Sequence, residues 1–342
     1  MSSKHKITRF STNEFAIHLL IRRKILRLTT LILSTALCMA CRRWVVLWIL
    51  LEINTLSFCY LIKTKEKTKI NDLRAKYFII QSISSGILVL SSCLFTKGIW
   101  GILPTIALAI KMASAPLQEW FLKILKNSRN FINTILITWQ KLAPVFLLIF
   151  QKKVGILLLV IICSTLGSIS QIDKKMIYEI IGYSSVFNIR WMLISLLTRI
   201  KTFFFVTVLY WIAVVKVMRL TKKSHLKTIE SSDLTKVPVI IILRFSNLAG
   251  IPPFPNFVGK WMLTKDLLSI KMFFFSVLPL TMRSLNFYIY LKLRRKVYLK
   301  SKSSSFLILG TPSFLGVAIL LSLTTILIIN SYRTCLNKGL CW

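Results

Sequence analysis

Residues 98–116, GIWGILPTIALAIKMASAP, and 131–150, FINTILITWQKLAPVFLLIF, decide how this chain folds: each is apolar enough to cross a bilayer, and each carries a lysine, Lys111 and Lys141. An ionised lysine at bilayer depth costs about 3 kcal/mol on insertion scales, so such residues face a protein interior or a wet cavity. Two in succession point to a buried polar path through a bundle of membrane helices.

The rest of the chain agrees. Of its 342 residues 55% are hydrophobic and the mean hydropathy is +0.69, beyond what a soluble domain with a polar surface carries. Runs of roughly 20 apolar residues, the length needed to span, recur from end to end. They fall near 25–41, 44–62, 77–96, 98–120, 131–150, 154–172, 176–197, 202–218, 237–258, 271–292 and 305–329. The fold class is therefore all-α, a polytopic transmembrane bundle of about eleven helices with its termini on opposite sides. Residues 1–24 form a basic N-terminal segment, 25–330 a single transmembrane domain, and 331–342 a C-terminal tail. The first segment loosely resembles a mitochondrial targeting sequence but reads better as a basic membrane flank, because no clear cleavage pattern follows it.

A formal charge of +37, from 47 Lys and Arg against 10 Asp and Glu, would ordinarily raise nucleic acid as a partner. Here the basic residues are scattered between and within apolar runs instead of forming one soluble face, which argues for no nucleic acid and for anionic lipid at the membrane surface. Nearly every loop is basic, so the charge pattern assigns no orientation. Four of the seven cysteines, Cys38, Cys59, Cys93 and Cys163, lie in apolar runs and read as small hydrophobes. Cys38 and Cys41 form a C-x-x-C without a second pair or a nearby His, which argues against metal or redox chemistry. Cys335 and Cys341 pair only in an oxidising space.

Several residues are ones a lipid-facing helix would not choose. Glu52 is the only acid in WVVLWILLEINTLSFCYLI (44–62), with Asn54 two positions on. A carboxylate at that depth takes up a proton or finds a cation, and a lysine on a neighbouring helix is the obvious one; the alternative is a Glu near the interface. Pro104 and Pro116 bracket Lys111, and LAGIPPFPNFVGKW (248–261) sets Gly250, Pro252, Pro253 and Pro255 before Lys260. Proline removes a backbone donor and clashes with the preceding turn, so interrupted helices are expected near Lys111 and near Pro252–Pro255. Such breaks survive in a membrane only where protein or water covers the freed backbone, and transporters use one in each half of an internal repeat to build ion sites.

These stretches resemble a known family. LEINTLSF (51–58), KYFIIQS (76–82), KMASAPLQEWF (111–121), TWQKLAP (138–144), YSSVFNIRWML (183–193) and LAGIPPFPNFVGKW (248–261) match subunit 2 of mitochondrial NADH:ubiquinone oxidoreductase, respiratory complex I, of the animal type, in order and at similar spacing. The resemblance implies an antiporter-like proton-pumping subunit built as an inverted repeat of five-helix units plus a final helix, in the mitochondrial inner membrane. Carried over residue by residue, Glu52 is the carboxylate, Lys111 the lysine of an interrupted helix, Lys141 the next lysine of the axis and Lys260 its counterpart in the second half. Moving or screening Glu52 would then release a proton from the lysine it stabilises. NAD, FMN, iron–sulfur clusters and ubiquinone are expected in other subunits of the complex, with no cofactor in this chain: His5, His18 and His225 lie outside the apolar cores, and there is no glycine-rich phosphate loop. The aromatic residues read as interfacial anchors and core packing before a quinone site. The implied partners are the other membrane-arm subunits and anionic lipid such as cardiolipin. A stand-alone cation/proton antiporter and a structural subunit with vestigial pump residues are the alternatives.

The chain also departs from that pattern. Gln118 and Asn188 stand where relatives usually have His, and Leu122 where they have Pro, which weakens a proton route drawn through those positions. Arg190 and Arg244 fall inside expected spans where small or uncharged residues are usual, and Arg43 and Arg129 where Ser or Thr is common. Ten acids cannot pair every buried guanidinium. Reading AGA and AGG codons as Arg in a genome that decodes them as Ser or Gly accounts for such positions; snorkelling to the interface is the physical alternative.

Overall fold

The computed structural model describes residues 2–41, 43–63, 70–93, 102–151, 153–172, 176–223, 238–251 and 254–270, with isolated positions besides, the last at 282. The described residues are all-helical, in twelve α-helices. These are α1 (Ser2–Ala40), α2 (Trp44–Leu61), α3 (Ile70–Cys93), α4 (Leu103–Lys111), α5 (Glu119–Asn127), α6 (Asn130–Ile137), α7 (Leu142–Leu147), α8 (Lys153–Ile169), α9 (Ile177–Thr198), α10 (Ile200–Lys223), α11 (Pro238–Ala249) and α12 (Pro255–Ser269). Among the described residues five stretches are long and apolar enough to cross a membrane: 44–61, 70–92, 130–150, 177–198 and 200–221. The chain is a multi-pass membrane protein.

Helix α9 is the axle of the bundle. It packs against α5, α7, α8, α10 and α12, and 89% of its spanning window is buried inside the protein, against 33% for α3 on the periphery. This explains why YSSVFNIRWML carries so many small and polar residues: none of that face meets lipid. Close approach is built in at Gly182, where an added Cβ would lie 2.5 Å from Leu122 Cδ2 and 3.0 Å from Leu125 Cδ1 of α5.

The structure adjusts several sequence expectations. The basic segment 1–24 continues as helix into the first apolar run, as part of α1. Helix α3 begins at Ile70, seven residues before the apolar core, on a polar first turn holding Asp72, whose charge suits a helix N-terminus. Pro104 starts a helix: it occupies the first turn of α4, where its missing N–H has no partner to lose. The interruption comes after Lys111 instead, and residues 112–118 are non-helical. Most of the span expected at 271–292, the whole of that at 305–329, the loop 224–237, Cys335 with Cys341, and the tail lie outside the described residues.

Both helix breaks use one device. At the end of α4 the Ser114 N–H donates to the Ala109 carbonyl (3.0 Å) and the Ala113 N–H to Ile110 (3.1 Å), with Ala113 at φ +56°. At the end of α11 the Ile251 N–H donates to Ser246 (3.3 Å) and the Gly250 N–H to Asn247 (3.0 Å), with Gly250 at φ +78°. This crossed pair is the Schellman arrangement, which turns the chain out of a helix through one left-handed residue while satisfying two orphan carbonyls. It lets an interrupted helix end inside a membrane protein without bare backbone.

Candidate functional site

Glu52 lies near the middle of α2 and is half-buried. The Thr55 hydroxyl, one turn on, lies 3.4 Å from its Oε2. Lys111, the last residue of α4, is buried, as are Lys141 and Lys260. Lys111 Nζ and Glu52 Oε1 have no hydrogen-bond partner among the described residues, so the two groups do not bond to each other. Glu52 is nevertheless close enough for its charge to act on the Lys111 ammonium, and the buried Cys38 of α1 lies in the same neighbourhood. The relation is through space between α2 and α4.

Lys141 ends a 3-10 turn, Trp139–Lys141, between α6 and α7. The sequence reading placed an unbroken helix here; the cause of the tighter turn is Pro144, which offers no N–H to the Gln140 carbonyl and crowds it. Three residues per turn aim successive side chains about 120° apart, so each meets a different neighbour. Trp139 Nε1 donates to Thr35 Oγ1 of α1 (3.0 Å), and Gln140 exchanges hydrogen bonds with Asn54 of α2 (3.3 and 3.4 Å). Lys141 Nζ donates to Ser185 Oγ of α9 (3.0 Å), with its charge 4.8 Å from the Phe121 ring centroid. Cys163 of α8 completes the surroundings: it is buried, with Lys141 on one side and Ser114 and Ala115 of the break after Lys111 nearby. The break at Lys111 and the turn at Lys141 thus meet around one thiol.

Lys260 sits in the second turn of α12 and reaches back across the second break. Its Nζ donates to the carbonyls of Leu248 (3.2 Å) and Ala249 (3.0 Å), the last of α11. A cation is favoured there because a helix C-terminus carries partial negative charge and unsatisfied oxygens. Gly250 makes this possible: a Cβ on it would meet Lys260 Cδ, Nζ and Cε at 3.0–3.3 Å. A small cavity joins Lys260 to α9, lined by Asn188, Trp191 and Asn256 among others. From Lys141 a line of polar groups runs through Ser185 and Asn188 on successive turns of α9 to this cavity and Lys260.

The departures find places as well. Gln118 precedes α5 and is buried, and Leu122 packs against Gly182. Asn188 donates to the Ser184 carbonyl one turn back (2.7 Å). Arg43 and Arg129 are exposed at the starts of α2 and α6, and Arg244 is partly exposed, its guanidinium donating to the Lys216 carbonyl. Arg190 is the fully buried one of these four, its guanidinium carbon 3.4 Å from the Phe187 ring centroid and 5.1 Å from that of Trp191. The sequence singles out neither Gln140 nor Ser185, and it marks Asn54 only as a neighbour of Glu52 and Cys163 only as a small hydrophobe. Asn54, Gln140 and Ser185 stand inside the matched motifs beside the charged residues, which was the available signal.

The model of the family described as NADH:quinone oxidoreductase/Mrp antiporter, transmembrane, matches residues 96–285, more than half of the chain. The chain belongs to this antiporter family. Both breaks, Lys111, Lys141 and Lys260 all lie inside the matched region. The antiporter-family chain is 28% identical over 337 residues to NADH-ubiquinone oxidoreductase chain 2 of Gallus gallus, covering 89% of this chain and 96% of that one. It is 28% identical over 287 residues to chain 2 of Locusta migratoria, covering 79% and 84%. Its fold is similar to a chain of respiratory complex I from Thermus thermophilus (TM-score 0.69, 19% identity, 90% of this chain and 78% of that one). It is also similar to a chain of the Mrp complex from Dietzia (TM-score 0.62, 15% identity, 72% and 55%). Among the described residues no group of three or more His, Cys, Asp or Glu comes together to hold a metal ion.

Proposed function

We propose that this chain is the chain-2 subunit of the membrane arm of respiratory complex I in the mitochondrial inner membrane. In this reading Glu52, Lys111, Lys141 and Lys260 form a buried axis that moves protons when electrons pass from NADH to ubiquinone. The observation that carries the reading is the setting of the three lysines. Each is buried in a protein interior beside an irregularity of a membrane helix, and at Lys141 and Lys260 a hydroxyl or freed backbone oxygen takes the place of water. In this mechanism the Glu52 carboxylate holds a proton on Lys111 when near and lets it go when withdrawn or screened. Proton loss at one lysine leaves the next free to pass a proton onward, through the Ser185 and Asn188 face of α9 and the cavity at Lys260.

Redox chemistry belongs to other subunits, which hold NAD, FMN, iron–sulfur clusters and ubiquinone; this chain contributes translocation. Its partners are the other membrane-arm subunits and anionic lipid such as cardiolipin. One end of the bundle supports the lipid reading. Lys24 lies 4.6 Å from the Phe131 ring centroid, Arg27 5.4 Å from that of Tyr60, and Arg74 donates to the Ile62 carbonyl (3.1 Å), giving a basic rim around exposed aromatics.

The stand-alone antiporter reading is disfavoured by the comparisons: identity with chain-2 relatives extends over most of this chain, whereas the likeness to the Mrp chain is one of fold at 15% identity. Replacing Lys111→Met separates a pump from a scaffold. In an assembled complex the proposal requires fewer protons moved per electron; unchanged pumping with intact assembly makes the pump residues vestigial.

A further inference from the structure

Among the polar contacts between helices that the axis does not use, one lies directly beside two of its charged residues. Asn54 and Gln140 are both buried, 86 residues apart in sequence, and exchange two amide hydrogen bonds. Asn54 is two residues after Glu52 on α2, and Gln140 immediately precedes Lys141 on the 3-10 turn. Neither side chain titrates at physiological pH, so the pair stores no proton. What it does is fix the height of the Glu52 helix against the turn that presents Lys141.

Resting on the reading above, we propose that Asn54 and Gln140 are positioning residues, a reciprocal clasp through which a shift of the Glu52 helix is transmitted to Lys141. Three features support this. First, the pair is the polar link from α2 to the turn, while the neighbouring side chains of that turn are committed elsewhere, Trp139 to α1 and Lys141 to α9. Movement of α2 therefore acts on the turn through Gln140. Second, the turn is 3-10, with poorer hydrogen-bond geometry than the α-helix around it, and mid-helix 3-10 stretches mark hinges. Third, both bonds are buried away from competing water and join the same two side chains, so α2 and the turn move together while the pair holds. A shift of α2 therefore displaces the Lys141 ammonium relative to Ser185.

Replacing both amides by apolar groups of similar shape removes the clasp without leaving one partner unsatisfied, which keeps the cost to folding small. The test compares protons moved per electron in the assembled complex carrying Asn54→Leu with Gln140→Met, the swap Asn54→Gln with Gln140→Asn, and Thr35→Val, which removes the bond from Trp139 to α1. The expected result is a fall of about two-fold or more in the apolar pair, the lower end of coupling changes carried by packed networks. The swap regains most of the ratio, and Thr35→Val leaves it unchanged. An unchanged ratio in the apolar pair overturns the proposal. So does an equal loss in Thr35→Val, or failure of the swap to assemble, since either makes the pair ordinary packing. Lys111→Met, run alongside, distinguishes the two levels: if it too leaves pumping unchanged, the axis itself is wrong.

Discussion

Lys260 Nζ sits 3.0 Å from the Ala249 carbonyl oxygen, so a cation on α12 closes the C-terminus of α11 across a break in the chain. The contact depends on the absence of a side chain at Gly250, which lies between them at φ +78°. Gly250→Ala places a methyl group 3.0–3.3 Å from the Lys260 side chain. It also places an L-residue in the left-handed region, at a backbone cost of about 1–2 kcal/mol. The substitution is predicted to lower the thermal stability of the assembled complex and its protons moved per electron together. Thermal inactivation and a pumping assay check both; loss of neither would mean that Lys260 does not need this position.

Ser185→Ala removes the hydroxyl that Lys141 Nζ reaches at 3.0 Å. Hydrogen bonds to charged groups contribute about 1.5–3 kcal/mol, so the buried ammonium is destabilised by that order. Slower pumping at matched electron flux is predicted for Ser185→Ala, and near-normal pumping for Ser185→Thr, which keeps the hydroxyl.

Gly182 lets α9 lie against Leu122 and Leu125 of α5. Gly182→Ala overpacks this contact, at about 1–3 kcal/mol. Reduced assembly is predicted on native gels, with partial recovery when Leu122→Ala is added. Equal assembly of the single variant and the parent would show that α5 moves freely against α9.

Arg190 puts a fully buried guanidinium on α9, packed over Phe187 and Trp191. Decoding of AGA or AGG as Ser or Gly in the source genome predicts that peptide masses across residue 190 lack the arginine increment and that trypsin does not cut there. CGN codons, or a tryptic cut after residue 190, would end that explanation.

The sequence made α2 readable almost to the residue, because one apolar run is bounded by Arg43 on one side and Lys63 on the other. The two breaks were readable from proline and glycine, but their mechanism was not. Pro104 looks like a breaker and starts a helix, while the turn after Lys111 is made by Ala113, a residue with no turn signature. Pro144 did carry the signal for the 3-10 turn at Lys141, hidden by the apolar residues around it. The four charged candidates stood out because charge is costly in a membrane. Their neighbours did not: Ser185, Cys163 and the Asn54–Gln140 pair acquire meaning only when helices far apart in sequence are packed together.

In the proposed mechanism Glu52 acts on Lys111, and this moves protons. The measurement that tests it is protons translocated per electron in the assembled complex carrying Glu52→Gln, Lys111→Met, or both, as a double-mutant cycle. A lowered ratio is expected in each single variant, and a double variant no worse than Lys111→Met alone, since the carboxylate works through the lysine. A ratio unchanged by Lys111→Met, or losses that simply add in the double variant, would contradict it.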